Sequence, residues 1–502
     1  MTMVRWGRWM PLLAAALSIA AASIWMNALQ LQPVDDAFIS FRAAVHLAQG
    51  QGPVFNPGER VESATSPLWV ALLALLSRLG IDPTSSAVPL GLLAAGGGAA
   101  LSAALAAELA GPLAALLAAI TLAALPAWNC WPGTGMEIPL AGLAIAAATL
   151  VALRARSRRG AAAAGALAAA AALARPEAIV VVPVVVWAAG VAPRDQRGRA
   201  GAALIAAGLP LAAMFIARRV YFGAWVPNTY VAKREGLGLE ALWRGASYVV
   251  WFALFHAALL FAVARAALRG GPSRLLAALC LAFAGAVVWD GGDHFPWGRL
   301  LAPALPVACA LLGSELVVLP RRAITVPAAL VASLVLQFVV PDRFPVFGPR
   351  RGRVRLWAEG GVVRYAIEAG HALATLPQGR VATLVIGAVG YFSGQAILDM
   401  VGLADAHIAR TPHLPGIKPG HDHADVDYVL ASRPEWVLFV PQLAPFTVTP
   451  EMEDEWLVRH QDYFLAALLL ERDPRFRRDY RALDVRLDNG RHLRIWRRAD
   501  LR

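Results

Sequence analysis

The sequence predicts a mostly α-helical membrane protein in which a polytopic helical domain precedes a mixed α/β domain. The chain of 502 residues is 58% hydrophobic, its mean hydropathy is +0.55, and only 16% of its residues are charged. Eleven apolar runs of spanning or near-spanning length lie between residues 9 and 340. The last 161 residues hold twenty of the 34 acidic residues and contain no such run. These observations predict two domains of different character.

The apolar runs follow one another with short polar connections. They cover residues 9–30, 86–107, 112–128, 138–153, 160–174, 178–192, 200–220, 247–268, 274–289, 299–319 and 323–340. The segment 66–80 has about a dozen apolar residues and would form a helix of only ~18 Å against a hydrocarbon core of ~30 Å, so we expect it to lie at the interface. The N-terminus has the basic start of a signal peptide, and the many later runs favour an uncleaved signal anchor.

Basic clusters assign the two sides of the membrane. With eleven spans and a cytoplasmic N-terminus, the arginine clusters at 154–160, 193–199, 265–274 and 320–322 all fall in the cytoplasm, as the positive-inside rule requires. Most acidic residues of the first 341 positions then lie on the opposite face. The predicted outer segments are 31–85, 128–137, 175–177, 221–246, 290–298 and everything from 341 onward.

The charge and cysteine content exclude several classes of function. The net charge of +12 and the pI near 10.4 could suggest a nucleic-acid partner, but the arginines stand in short clusters between apolar runs. That pattern is typical of helices oriented in a membrane, so we expect the lipid bilayer as partner and no nucleic acid. The three cysteines have the spacing of neither a disulfide framework nor a metal site.

The acid-rich part of the chain predicts a mixed α/β domain on the outer face. We place the membrane domain at residues 1–341, with its first outer loop at 31–85, and the outer domain at 342–502. Helical spacing runs through 353–376, and the expected strands are 381–394, 435–442 and 493–498. The glycines of GAVGYFSG (387–394) lack the spacing and the later acidic partner of a dinucleotide-binding loop.

Two adjacent carboxylates, Asp35 and Asp36, stand where the chain leaves the first apolar run, in LQPVDDAFISFRA (31–43). Charges near hydrocarbon are costly, so two together indicate a partner or a use. One of them could cap the following helix, but a cap explains only one carboxylate. We predict that at least one is a general base or a ligand of a divalent cation such as Mg²⁺ or Mn²⁺. Arg42, about two helical turns later, either neutralises the pair or binds substrate.

A second polar cluster, WDGGDHFPWGRL (289–300), lies at the outer end of a predicted span. It is either a solvated loop or a site for an anion or a metal. In the second case His294 and Arg299 approach a phosphate, and Asp293 orients one of them. Asp293 and His294 are too close in sequence to form a zinc site by themselves.

Other outer ends of the predicted spans carry Glu137, Arg175 and Lys233. Alone, each is commonly a helix cap or a snorkelling side chain, but together these residues line one mouth. A transporter would place ionisable groups near the middle of its spans, and here the spans are nearly free of charge. This pattern favours an enzyme that acts on a lipid-linked substrate. The alternative is a carrier of lipid-linked sugars without transferase activity.

The segment that carries the Asp pair resembles the first outer loop of GT-C class polytopic glycosyltransferases. It reads DDAFISFRAAVHLAQGQGPVFNPGERVESATSPLWVALLALL (35–76), and it is most similar to the family of the mycobacterial terminal β-arabinofuranosyltransferase. Further segments follow in the order of that family: GMEIPL, ARPEA, VPNTYVAK, GGDHFPWGRLLAPALP, LDMVGLADAHIAR and KPGHDHADVDYVLASRPEWVLF. The resemblance covers most of the chain.

The resemblance implies a GT-C sugar transferase in the inner membrane with its active site facing the periplasm. Its donor would be a polyprenyl-phosphate sugar, and its acceptor a cell-envelope glycan or glycolipid. Asp35 and Asp36 match the family's acidic pair, of which one would take the acceptor proton. Glu137 matches an outer-face glutamate, and Asp293 with His294 matches the GGDH segment. The sequence departs from the family at SATSP (63–67), where relatives tend toward glycine and an aromatic residue, so the sugar pocket is expected to differ.

Overall fold

The computed structural model describes residues 2–191, 195–234, 238–319, 356–414, 420–440, 443–487 and 489–501, with two isolated positions, 328 and 332. Those two positions aside, the predicted span at 323–340 lies outside the described residues. The predicted domain boundary between residues 341 and 342 lies outside them as well, so the division into two domains stays a prediction.

Helices dominate the first 319 residues. They are α1 (Thr2–Ala28), α2 (Asp35–Ala48), α3 (Pro67–Arg78), α4 (Pro83–Ala110), α5 (Pro112–Ala124), α6 (Pro126–Asn129), α7 (Ile138–Arg154), α8 (Arg158–Ala174), α9 (Val181–Val191), α10 (Gln196–Phe222), α11 (Asn228–Arg234), α12 (Gly238–Phe255), α13 (Ala257–Arg269), α14 (Gly271–Asp290) and α15 (Leu305–Val318). Short 3₁₀ turns at Trp131–Thr134, Pro176–Val180, Pro296–Gly298 and Ala302–Ala304 connect them.

Sequence signals set many of these helix starts. Pro67 and Pro83 stand at the first position of α3 and α4, where the missing N–H costs nothing. Asp82 caps α4 by accepting a hydrogen bond from the backbone N–H of Thr84 at 2.8 Å. The helix predicted for 66–80 is present as α3, which has 12 residues.

Within the described residues, four helices are long and apolar enough to cross a membrane, and six segments qualify if each of two bent helix pairs is one span. The total of eleven spans therefore stays a prediction. The run 247–268 is not one straight span, because α12 and α13 meet at His256, whose backbone is not helical, with a bend of 100°. The run 112–128 also bends, by 73°, where Leu125 is extended before a proline.

Small side chains let the helices pack closely, as is usual in membrane domains. The alanine-rich helix α8 packs between α7 and α10. At one crossing a Cβ on Gly165 would collide with the backbone carbonyl of Ala203, so only glycine fits. The fully buried ring of Trp128 lies against Gly98 and Gly142 in the same way.

The described residues from 356 onward form a six-stranded mixed sheet with helices. Its strands are β1 (Arg380–Thr383), β2 (Ala396–Asp399), β3 (Trp436–Leu438), β4 (Leu443–Ala444), β5 (Tyr480–Arg486) and β6 (His492–Arg498). The helices are α16 (Leu356–Ala374), α17 (Gly387–Ser393), α18 (Val426–Ala431), α19 (Pro450–Arg459), α20 (Gln461–Glu471) and α21 (Pro474–Asp479). β2, β1 and β3 are parallel neighbours, β3 and β4 pair antiparallel with successive parts of β6, and β5 pairs with β6 as a hairpin.

One predicted strand is wrong over most of its length. Of the segment 381–394, only the first residues belong to β1, and Gly387–Ser393 form the helix α17. The apolar run of this segment is buried on both elements, and periodicity alone does not separate a buried strand from a buried helix. This difference bears on the candidate site, because α17 packs directly against α2, the helix that begins with Asp35 and Asp36.

Candidate active site

A cavity of about 800 Å³ lies where the ends of several helices meet. It is bordered by the start of α2, the turn before α7, the link between α8 and α9, the end of α10, helix α11 and the loop after α14. Its charged lining residues are Asp36, Glu137, Arg175, Glu177, Arg218, Lys233, Arg234, Arg244, Asp290, Asp293, His294 and Arg299. Of the residues predicted for the site, Asp35 and Arg42 do not line this cavity.

Arg299 joins two carboxylates at the centre of the lining. Its Nη1 donates to Asp36 Oδ2 at 3.0 Å, and its Nε donates to Asp293 Oδ2. The guanidinium also lies over the ring of Phe295, 4.1 Å from the ring centroid. The other oxygen of Asp293 accepts from the backbone N–H of His294 at 2.8 Å. Arg299 thereby joins Asp36, which lies 263 positions earlier in the sequence, and Asp293 in one hydrogen-bonded group of charged side chains.

Nearby cations decide the ionisation of these carboxylates. Burial alone would raise the pKa of Asp36, but the charges of Lys233, Arg299 and His294 outweigh it and lower that pKa to about 2. Burial would also raise the pKa of Asp293, but the charges of Arg299 and Lys233 outweigh this effect and hold that pKa below its ordinary value. Both carboxylates are therefore ionised at neutral pH.

Asp36 keeps one oxygen available. Among the described residues only its Oδ2 accepts a hydrogen bond, from Arg299, and 28% of its side chain is exposed within the cavity. Lys233 approaches the same space from α11 and makes no hydrogen bond or ion pair with a described residue. A carboxylate oxygen and an ammonium group thus face the cavity.

Asp35 points in a different direction. Its two carboxylate oxygens accept the backbone N–H groups of Gly387 and Ala388, at 3.0 and 2.8 Å, at the start of α17. Burial raises the pKa of Asp35 to about 6 in spite of these two hydrogen bonds. The alternative in which one carboxylate caps the helix that follows it does not hold, because the N-cap of α2 is Val34. Asp35 instead caps a helix 352 residues later in the chain.

The two carboxylates therefore do not fit a shared cation site. Both oxygens of Asp35 are engaged by N–H donors of α17, and one oxygen of Asp36 is engaged by Arg299. The guanidinium of Arg299 stands where a cation would meet Asp36 and Asp293.

Glu137 and Arg175 belong to a buried ion triad. Arg175 Nη1 donates to Glu137 Oε1 at 2.6 Å, and its Nη2 donates to Glu177 Oε1 at 2.6 Å. All three side chains are buried, and all three residues border the cavity. Because the guanidinium is shared between two carboxylates, this triad shapes the wall of the cavity.

Arg42 is a correction to the predicted site. Its guanidinium donates to the backbone carbonyls of Phe55, Gly390 and Gln395, the first at 2.6 Å and the last at 2.7 Å. It neither reaches the cavity nor pairs with Asp35 or Asp36. A buried arginine that is satisfied by carbonyl oxygens ties α2 to the outer sheet region, and it is not placed to bind a donor phosphate.

The sequence reasoning missed a second buried pair at the cavity. Arg218, near the end of α10, donates from Nε and Nη2 to the two carboxylate oxygens of Glu62, at 2.5 and 3.0 Å. Arg218 falls in the run 200–220, which the sequence predicts to be a span. The available signal was Glu62 in the outer loop, since a buried carboxylate requires a cationic partner.

The SATSP segment (63–67), where the sequence departs from the resembled family, lines the cavity along its whole length. Ser63 and Ser66 are buried there. Five consecutive residues between α2 and α3 therefore border the cavity.

Sequence comparisons match parts of the chain. A family profile described as a domain of unknown function (DUF8728) matches residues 356–487. The terminal β-(1→2)-arabinofuranosyltransferase of Corynebacterium glutamicum is 41% identical over 66 residues, which are 12% of this chain and 10% of that protein. The enzyme of the same name from Mycobacterium tuberculosis is 39% identical over 71 residues, 14% and 11% of the two chains. This chain thus matches only about a tenth of the length of these relatives.

Solved structures match over nearly the whole chain. ArnT from Cupriavidus metallidurans, bound to undecaprenyl phosphate, has a TM-score of 0.54 at 14% identity, covering 97% of this chain and 98% of that one. The oligosaccharyltransferase of Archaeoglobus fulgidus in its apo form has a TM-score of 0.53 at 12% identity, covering 97% and 74%. The chain has the GT-C fold. The predicted resemblance to GT-C glycosyltransferases is confirmed, and at these identities the likeness concerns the fold.

Proposed function

We propose that the chain is an integral membrane glycosyltransferase that moves a sugar from a polyprenyl-phosphate donor to a hydroxyl group of a cell-envelope glycan or glycolipid. The observation that carries this proposal is the arrangement around Asp36. An ionised carboxylate with one available oxygen shares a cavity with Lys233, His294 and Arg299. A base beside cations is what transfer of a sugar from a phosphate to a hydroxyl requires.

Asp36 is the base in this proposal. Its free oxygen accepts the proton of the acceptor hydroxyl as the acceptor oxygen forms a bond to the anomeric carbon. The bond between that carbon and the phosphate oxygen breaks on the opposite side, and polyprenyl phosphate leaves with the electron pair. A single displacement of this kind inverts the configuration at the anomeric carbon. Arg299 holds the other oxygen of Asp36 and so fixes its orientation.

Lys233 and His294 stabilise the phosphate that leaves. Both border the cavity, and both lower the pKa of Asp36 through their charge. A donor phosphate between them would offset that charge, and the pKa of Asp36 would rise from about 2 toward the range in which a carboxylate accepts a proton more readily. Binding of the donor would therefore make Asp36 a stronger base.

The apolar wall of the cavity suits a prenyl chain. Leu211, Met214 and Phe215 of α10 form part of the lining next to the charged residues. Neighbouring α10 side chains such as Leu209 and Ile216 are largely exposed on the same helix, as side chains that face lipid are. A lipid-linked donor could thus keep its chain in the bilayer while its phosphate meets Lys233.

The location of the site supports an inner-membrane enzyme that works on the periplasmic side. Most of the charged cavity residues come from segments that the basic clusters assign to the outer face. The donor sugar would be an arabinofuranosyl group or another pentose or hexose, and the residues of SATSP (63–67) would contact it. The outer sheet region would help to recognise the acceptor.

Transfer assays test the proposal directly. Purified full-length protein in detergent is incubated with radiolabelled arabinofuranosyl, mannosyl and glucosyl polyprenyl phosphates and with membrane-glycan extracts as acceptors. We expect label in the glycan from one donor. Binding of a lipid-linked sugar with no cleavage of the sugar–phosphate bond, for every donor, would contradict the transferase and favour the carrier.

A further inference from the structure

A second group of potential ligands lies outside the cavity, in the outer region of the chain. His413, Asp422 and His423 each offer one ligand atom, and these atoms lie within 4.8 Å of one another. His413 Nδ1 is 2.8 Å from Asp422 Oδ2, and Asp422 and His423 are buried. The ring of His413 lies 4.4 Å from that of His423, measured between centroids. Two imidazoles and a carboxylate thus converge on a small volume.

The hydrogen bonds of His423 leave one ring nitrogen for a ligand. Its Nε2 lies 2.8 Å from the backbone carbonyl of Ala232, and since a carbonyl only accepts, Nε2 must carry the proton. In the neutral ring Nδ1 then bears a lone pair, and it faces two oxygen atoms of Thr411, the carbonyl oxygen at 2.9 Å and the hydroxyl oxygen at 3.1 Å. The single proton of the Thr411 hydroxyl can go to this nitrogen or to the carbonyl oxygen of Ile408 at 2.8 Å. Nδ1 and the Thr411 carbonyl oxygen still face each other as two acceptors unless a proton or a metal ion lies beside both.

A metal ion would resolve this contact. In a tetrahedral site with bonds of about 2.0–2.2 Å, neighbouring ligand atoms lie roughly 3.2–3.5 Å apart. This value falls between the 2.8 Å from His413 Nδ1 to Asp422 Oδ2 and the 4.8 Å within which all ligand atoms of the group lie. A metal-bound histidine commonly donates its other N–H to a backbone carbonyl, as His423 does to Ala232. Two imidazole nitrogens with oxygen ligands form a donor set that suits Zn²⁺.

We propose that His413, Asp422 and His423 bind one Zn²⁺ ion, with the Thr411 carbonyl oxygen as a fourth ligand. The ion has a positioning role. It would hold the segments around residues 411–414 and 420–423 against α11, because His423 reaches Ala232, the neighbour of Lys233. Gly420 lies beside the Lys233 side chain, and His421 faces His294 with ring centroids 6.5 Å apart. This zinc site does not depend on the proposed transferase function.

Metal analysis of the full-length protein tests the site. The protein is purified in detergent without a histidine tag, stripped with a chelator, loaded with Zn²⁺ and dialysed, and its metal content is measured by mass spectrometry. We expect one ion per chain, and loss of that ion in His413→Gln, Asp422→Asn and His423→Gln. The matched control is His407→Gln, an exposed histidine that pairs with Asp425 outside the group. It should keep the ion.

Two measurements on the wild-type protein test the zinc site even if the variants fail to fold. Co²⁺ in place of Zn²⁺ should give the visible absorption of a four-coordinate site, and Zn²⁺ should slow amide hydrogen exchange in residues 228–234. Wild-type protein that retains no ion after dialysis would overturn the proposal. So would a folded triple variant that retains as much Zn²⁺ as the wild type.

Discussion

Replacing Asp36 with asparagine is expected to lower kcat for sugar transfer by about 10²- to 10⁴-fold, the usual contribution of a positioned general base. The amide has nearly the same shape, but it cannot take the acceptor proton. Arg299 keeps its bond to Asp293, so the variant should fold and melt close to the wild type. Kinetics of the purified variant, with its melting temperature measured in the same detergent, check both expectations.

Asp35→Asn is the matched control. Asp35 receives hydrogen bonds from Gly387 and Ala388 of α17, and it does not line the cavity. Its amide variant loses one of two acceptors at the start of α17, so we expect a lower melting temperature with kcat within about tenfold of the wild type. The reverse pattern, with an inactive Asp35→Asn and an active Asp36→Asn, would show that the base is assigned to the wrong carboxylate.

Replacing Arg175 with methionine is expected to destabilise the protein by about 3–5 kcal/mol, because it leaves two buried carboxylates without their shared cation. Glu137 and Glu177 each receive a hydrogen bond of 2.6 Å from this guanidinium. Thermal unfolding in detergent should show a clearly lower melting temperature. Adding Glu137→Gln and Glu177→Gln to the arginine variant removes the unpaired charges and should restore much of the loss.

An exposed arginine provides the comparison for this result. Arg158 pairs with Asp195 at 2.7 Å, but both side chains are largely in solvent. Such pairs contribute little, so Arg158→Met should melt like the wild type. If Arg175→Met also melted like the wild type, the triad would not carry the buried charge that the structure assigns to it.

The sequence predicted that the first 319 residues are mostly helical with several apolar helices, because long apolar runs are typical of such helices. The number of spans and their sidedness stay predictions. It did not predict the break at His256, where neither glycine nor proline marks the bend between α12 and α13. It also predicted a strand where α17 lies, since the buried residues 387–390 at the start of this short helix are all small or apolar. Local composition does not contain this information.

The candidate site, too, could be predicted from the sequence only in part. The sequence identified Asp36, Lys233, Asp293, His294 and Arg299 as one polar group, because segments on one face of the membrane meet at their ends. It could not separate Asp36 from Asp35, since their partners lie 263 and 352 residues away. The pair of Glu62 and Arg218, 156 residues apart, was missed for the same reason. Which carboxylate meets which cation is decided by tertiary packing.

The position of the donor phosphate tests the central claim most directly. An electron cryo-microscopy structure of the full-length protein with polyprenyl phosphate should show the phosphate within about 4 Å of the Lys233 ammonium, the distance of an ion pair. The prenyl chain should run along Leu211, Met214 and Phe215 of α10, and the free oxygen of Asp36 should face the phosphate side of the cavity. A phosphate bound outside this cavity, away from both Lys233 and Asp36, would contradict the account.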